Sequence, residues 1–431
     1  MGKGMDENEF RRLLHLGLGR AILYAKNHDM QKFRGVVLDA CLHCYAYDPQ
    51  IEGTRADYML KLVGLMPDKE FFYGEVMKAL PGGGDNWDTA QRFRFGACLA
   101  FEGNELAKLA MYKNYEPGPK MGDDVGINFV QMDGISGLLF AVEKMGALLM
   151  VNPEGVEVGG LLSYSSEEFG EQETWDALRK AGAQNPRVDA YQLEAKARKD
   201  CLDKRLSKSR ESIGGTYEHL KPKLQELMFS WLGSWGERAS DVEIERAARG
   251  LVAALDPKDQ LAHLRIFARR RFPLDIQILL RLAEVEQDRV GFAAIEALSQ
   301  ITHPAVRELA FRLVNTGARW RGEAIELLSR NFEPRDHAVA LGWFKAEQDS
   351  DVKQSMGMDL MDFWKEHPDE ESEVAMLRVL YELGPCSHCR EESVRRLIEL
   401  KALTEEMRAE CAYDANDEIR DLVEEPQAAK S

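Results

Sequence analysis

The sequence predicts an all-α protein, a solenoid of stacked antiparallel helical pairs, and three observations carry that prediction. In residues 305–314 the apolar positions are Val306, Leu309, Ala310, Leu313 and Val314, and the preceding segment repeats the rhythm with Val290, Ala294, Ala297, Leu298 and Ile301. Spacing of i, i+3, i+4 and i+7 places each set on one face of a helix. Between them stands Thr302-His303-Pro304, with the proline where a helix opens and its missing N–H costs nothing. Finally, 431 residues exceed one compact core. A helix with one apolar stripe cannot bury it alone, so successive pairs must stack.

Taken in order, Phe10–His28 reads as one helix despite Gly17 and Gly19, and a second covers Gln31–Tyr45. Asp48-Pro49 supplies a cap and a first-turn proline for the next. Further helices are expected near 68–79, 88–101 and 103–114, with Pro81-Gly82-Gly83-Gly84-Asp85 as a loop and Glu116–Asp124 as a break. Residues 125–235 are less regular. Ile135–Leu149 is an apolar helix, Asn152-Pro153-Glu154-Gly155 turns the chain, and helix-turn-helix is preferred there over a short hairpin. Asn185-Pro186 opens a long charged helix to Arg210, and Ile213-Gly214-Gly215-Thr216 marks a hinge. Twelve helical segments then follow from 217 to 424, the last interrupted near Asp414. The expected organisation is helical repeats over 1–118, an irregular helical insertion over 119–216, the solenoid over 217–424 and a polar tail over 425–431.

The chain is 45% hydrophobic, which argues against global disorder. No basic-then-apolar leader is visible, and no run is read as reaching the ~18 apolar residues of a membrane span. Seven cysteines, an odd number, fit reduced thiols, so a cytoplasmic location is expected. The net charge of −17 disfavours general binding to nucleic acid or anionic membranes. Residues 237–340 balance 16 basic against 16 acidic side chains, whereas 341–431 hold 11 against 23. That C-terminal excess reads as a solvated face.

The pairs at 289–330 resemble the HEAT-repeat family of α-solenoids through their aliphatic stripes, the Thr302-His303-Pro304 turn and the packing alanines Ala294 and Ala297. The resemblance extends over about 220–424 and more faintly over 10–115, and the layout is similar to uncharacterised bacterial HEAT-domain proteins. It implies a concave surface that scaffolds other proteins. In a minority of the family, the alkylpurine DNA glycosylases, it implies a basic concave surface gripping damaged DNA.

Three sets of residues are candidates for chemistry. Arg265, Arg269 and Arg270, with Trp320 and Arg321, form the main basic concentration, and arginine suits bidentate contact with carboxylate or phosphate. These are the expected contacts for a protein partner, although neighbouring acids offer intramolecular pairing instead. For a glycosylase-type alternative, Asp275 and Asp336 are the candidate carboxylates. The third set is Cys386, Cys389 and Cys411, a candidate for zinc or, through Cys386 at a helix start, for reversible oxidation. A matching Cys41-Leu42-His43-Cys44 would join it only if the chain closed on itself, which an open superhelix does not do. No phosphate loop, dinucleotide fingerprint, zinc-protease or serine-hydrolase motif occurs. The expected function is therefore a non-catalytic interaction scaffold without a cofactor, zinc being the one alternative. Capping explains the echo between Cys44-Tyr45-Ala46-Tyr47-Asp48 and Cys411-Ala412-Tyr413-Asp414.

Overall fold

In the computed structural model, the regular elements run from Glu7–Leu16 to Asp417–Glu424, and all those among the described residues are helical. The structure describes the chain apart from residues 1–4, 81, 83–84, 119–121, 154, 157, 210–214, 228, 286–288 and 425–431, and the side chains of 122–123, 202–209 and 229. The glycine loop at 81–85, the turn at 152–155, the hinge at 213–216 and the polar tail thus fall partly or wholly outside the described residues.

The chain divides into two compact units, one of Met1–Arg210 with Cys386–Glu391 and Leu403–Ser431, the other of Glu211–Pro385 with Glu392–Ala402. In the first unit the expected boundary at 118 does not separate two cores. Phe93, Ala97 and Met111 bury against Phe129, Leu138, Met145 and Tyr191 in one apolar cluster. The stretch Asp124–Leu149 is, by length and composition, apolar enough to cross a membrane, contrary to the sequence expectation. Half of its apolar window is buried in the protein, and the backbone leaves helical geometry at Asp133 and Gly134.

Phe10–His28 is two helices, Glu7–Leu16 and Arg20–Asn27. Gly17 ends the first at φ 70°, a left-handed conformation that disfavours any side chain. At Gly19 a Cβ would lie 1.9 Å from the Glu410 carbonyl oxygen. These glycines make room for the C-terminal segment. The Ala415 N–H donates to Gly17 O at 2.8 Å, and Arg20 grips Glu410 through Nε and Nη2 at 2.7 and 2.9 Å. The expectation that the two ends stay apart is therefore overturned. Gly19→Ala is expected to destabilise the first unit by at least about 3 kcal/mol, the upper end for overpacking, because the obstructing atom is backbone. Urea unfolding of the two chains would check it.

At the heart of this unit lies a buried pair of ion pairs. Arg390 donates to both Asp414 oxygens at 3.1 Å and to Leu16 O at 2.8 Å, with both side chains fully enclosed. Arg55 pairs with Glu52 at 3.2 Å, also buried. Asp48 caps its helix as expected, accepting from Gln50 N. Asp414 departs from its expected role: it accepts from Asn416 N, but its chief partner is Arg390.

The second unit contains the strongest predicted rhythm, with shorter elements than expected. The helix expected over 217–232 stops after Tyr217–Leu220 and a 3-10 turn at Lys221–Lys223, since Pro222 cannot donate within a helix. The pair read most clearly is present as Val290–Ser299 and Pro304–Asn315, and His303 caps the latter through its ring nitrogen, with Pro304 at the first position. The helices Pro257–Leu264, Val290–Ser299, Ala324–Ser329 and Ser350–Glu366 each contact the next. Stitches about one repeat apart hold the register: His303 N donates to Asn331 Oδ1 at 2.8 Å, and Arg307 clamps Asp336 at 2.5 and 2.8 Å.

Candidate functional site

Because each of those helices contacts the next, side chains on their facing sides become neighbours. Val290–Ser299 contributes Glu296 and Ser299. The 3-10 turn Arg321–Glu323 and the helix Ala324–Ser329 contribute Glu323, Glu326 and Ser329. Ser350–Glu366 adds Ser355, Asp359 and Glu366. Hydroxyls bridge the row: Ser299 donates to Glu326 at 2.8 Å, Ser355 to Glu323 at 2.8 Å, and Ser329 to Glu366. Ser299, Glu326, Ser329, Asp359, Asp362 and Glu366 line a cavity of about 180 Å³, room for roughly six waters, with Gln300, Ile325, Arg330 and Phe363 completing its wall.

The electrostatics here are unusual for a protein interior. Half-buried carboxylates are ordinarily paired with cations, yet none of Glu296, Glu323, Glu326 and Asp359 is in an ion pair among the described residues. Burial, opposed by the Ser299 hydroxyl and reinforced by the charges of Glu323, Glu296 and Glu366, raises Glu326 to about 7. Asp359 is pushed well above the usual carboxylate range by burial and then by Glu323 and Glu326, against a backbone hydrogen bond from Glu326. Glu323 and Glu296 are raised too, chiefly by burial. Asp359 Oδ2 and Glu296 Oε2 are shut off from solvent and accept no hydrogen bond among the described residues. Two of these perturbed carboxylates, Glu326 and Asp359, line the cavity, which makes it a candidate ligand site. Three of these oxygens do not come within 4.8 Å of one another. The arrangement is therefore too spread to supply three ligand oxygens to one small metal ion.

The basic residues singled out in the sequence are mostly engaged. Arg270 pairs with Asp241 at 2.5 Å, and Arg321 holds Glu347 through two bonds at 2.7 and 3.2 Å, drawing that carboxyl down to about 2. Arg265 and Arg269 lie close enough to Glu296 to oppose its upward shift. Trp320 packs on Phe292 at 5.7 Å and sits where any Cβ on Gly291 would be, 2.6 Å from Nε1. Of the glycosylase-type carboxylates, Asp275 is exposed and caps Gln277 N, while Asp336 is wholly enclosed by Arg307 and Glu333 N. Neither faces the acidic cavity.

The sulfurs of Cys386, Cys389 and Cys411 do not form a three-donor metal group. Cys411 is fully enclosed at the end of Glu405–Cys411, whereas the other two stand at the start of Ser387–Glu399. Among the described residues, the donors within 4.8 Å of one another are instead His388, Glu391 and Glu418, of which only Glu391 is buried.

The acidic cavity escaped the sequence reading, although a signal existed. Glu296-Ala297-Leu298-Ser299 recurs as Glu326-Leu327-Leu328-Ser329, one repeat later. A Glu-x-x-Ser pattern that returns on a helix in contact with the first brings like residues together. A scan against protein-family models finds no match to this chain, and a search of curated proteins finds none either.

Proposed function

We propose that this chain is a non-catalytic, cytoplasmic interaction scaffold of HEAT-like helical pairs, and that its second unit receives a cationic side chain of a protein partner in the acidic cavity. The observation that carries this reading is Asp359 Oδ2, a buried carboxylate oxygen with no hydrogen-bond partner among the described residues, on a cavity that Glu326, Asp362 and Glu366 also line and to which Arg330 brings a single cation. An isolated buried charge costs several kcal/mol. A guanidinium on a partner segment supplies several N–H donors and a full charge, and the stem of that arginine follows the cavity wall. Arg265 and Arg269 would flank this site at its Glu296 end and disfavour a second cation there.

The test is fluorescence anisotropy with a labelled, otherwise neutral peptide carrying one arginine, against the same peptide with citrulline, which keeps the shape and loses the charge. The arginine peptide is expected to bind at least tenfold more tightly. Asp359→Asn should remove most of that preference. Equal binding of the two peptides, or an unchanged preference in Asp359→Asn, would overturn the reading.

A further inference from the structure

The first unit contains a pair of cysteines, Cys386 and Cys389, independent of the acidic cavity of the second unit. Cys386 stands immediately before the thirteen-residue helix Ser387–Glu399, where the first N–H groups have no intrahelical partner. Its sulfur accepts from the backbone N–H groups of His388 and Cys389 and from the Cys389 thiol. The sulfur thus occupies the position of a capping oxygen, facing two amides, a thiol and the positive end of the helix dipole.

The other cysteines differ. Burial pushes Cys41 and Cys44 up, and Cys98 is raised to about 12 by burial and then by Asp57. In contrast, the hydrogen bond from Cys389, opposed by burial and by Glu52, leaves Cys386 well below the ordinary thiol range. The carboxylate of Glu52 is kept occupied by Ser387 N at 3.1 Å, by Asp48 N at 2.8 Å and by Arg55. Cys386 is 5% exposed and Cys389 is half-buried, so a small oxidant fits the approach better than a protein disulfide does.

We propose that Cys386 and Cys389 are a hydroperoxide-responsive dithiol that closes to a reversible intrachain disulfide. The Cys386 thiolate attacks the distal peroxide oxygen, forming an S–O bond and breaking O–O, and the leaving hydroxide or alkoxide takes a proton from solvent. Cys389 gives up its proton and attacks the Cys386 sulfenic sulfur, forming S–S and releasing water. Two electrons leave the dithiol and reduce one hydroperoxide. A thiol reductant reverses the reaction by exchange. Closure takes the capping sulfur away from the His388 and Cys389 amides. The start of the helix that bears Arg390 is thereby loosened, one turn from its bonds to Asp414 and Leu16 O.

The experiment uses the full chain with Cys201→Ser, which removes the exposed thiol, treated with one equivalent of hydrogen peroxide. Val379–Arg390 is a single tryptic fragment holding both cysteines and no others. It is expected to lose two hydrogens, resist iodoacetamide and recover both thiols with dithiothreitol. Adding Cys389→Ser should leave Cys386 as a dimedone-reactive sulfenic acid. Before oxidation, alkylation of Cys386 should slow less than threefold from pH 8.5 to 6.5, where an ordinary thiol of pKa ~8.5 slows about fiftyfold. An ordinary pH course, or a fragment that stays a dithiol while another cysteine oxidises, overturns the proposal even if the variants do not fold.

Discussion

Asp414→Ala is expected to destabilise the first unit by about 3–5 kcal/mol, because it strands a fully buried guanidinium. Arg390 has no exposure and directs its donors at Asp414 and Leu16 O. With the carboxylate gone, the guanidinium loses both bonds to its charged partner in an interior that already holds Arg55. The charges of Asp414 and Arg390 both reach Arg55, so the four groups Glu52, Arg55, Arg390 and Asp414 form one balanced cluster. Removing one negative charge unbalances all of them. The double variant Arg390→Met with Asp414→Leu restores neutrality and should recover most of the loss, since a well-packed apolar pair often equals a buried ion pair. Urea unfolding of parent, single and double variants would measure both. A single variant within about 1 kcal/mol of the parent would mean that the enclosure of Arg390 is not maintained in solution.

This cluster also shows where sequence reading stops. The similarity between Asp48 with Glu52 and Asp414 with Glu418 is visible in one dimension, and capping accounts for Asp48 completely. It does not account for Asp414, whose partner lies twenty-four residues earlier and whose enclosure depends on the N-terminal helices. Gly17 and Gly19 carried the complementary signal. Two glycines in an apolar helical pattern have no local use, and each marks a close approach by another segment. The aliphatic stripes of 290–314 were legible because helix periodicity is local. The acidic cavity was not, because its residues come from three helices and become neighbours only through stacking. Their spacing along the chain, from Glu296 to Glu326 to Asp359, is far longer than a helical turn. Counting charges over 341–431 pointed to acidity at that end, but Glu296, Glu323 and Glu326 lie in the stretch of zero net charge.

Stability and cation binding are expected to move in opposite directions with pH. Glu326 titrates near 4.3 in an unfolded chain and at about 7 in the fold, so between those values the folded state holds a proton that the unfolded state has lost. Stability is then fully present below about 4.3 and is lost as pH rises through about 7. For Glu326 alone the loss is on the order of 2 kcal/mol, after allowance for screening at a half-buried group. Asp359, raised by burial and the same neighbours, adds in the same direction. Glu326→Gln and Asp359→Asn should therefore be more stable than the parent at pH 8 and nearly equal to it at pH 5, as read by urea unfolding at the two pH values. A cation has the opposite preference, since it requires the ionised form and competes with the proton. Affinity for the single-arginine peptide should fall at least tenfold from pH 8 to pH 5.5 and should be weak at both in the two variants. A cluster retained only for the fold would show stability lost on neutralisation. One retained for a ligand is destabilising when empty, and stability gained at the expense of binding is the signature that separates the two.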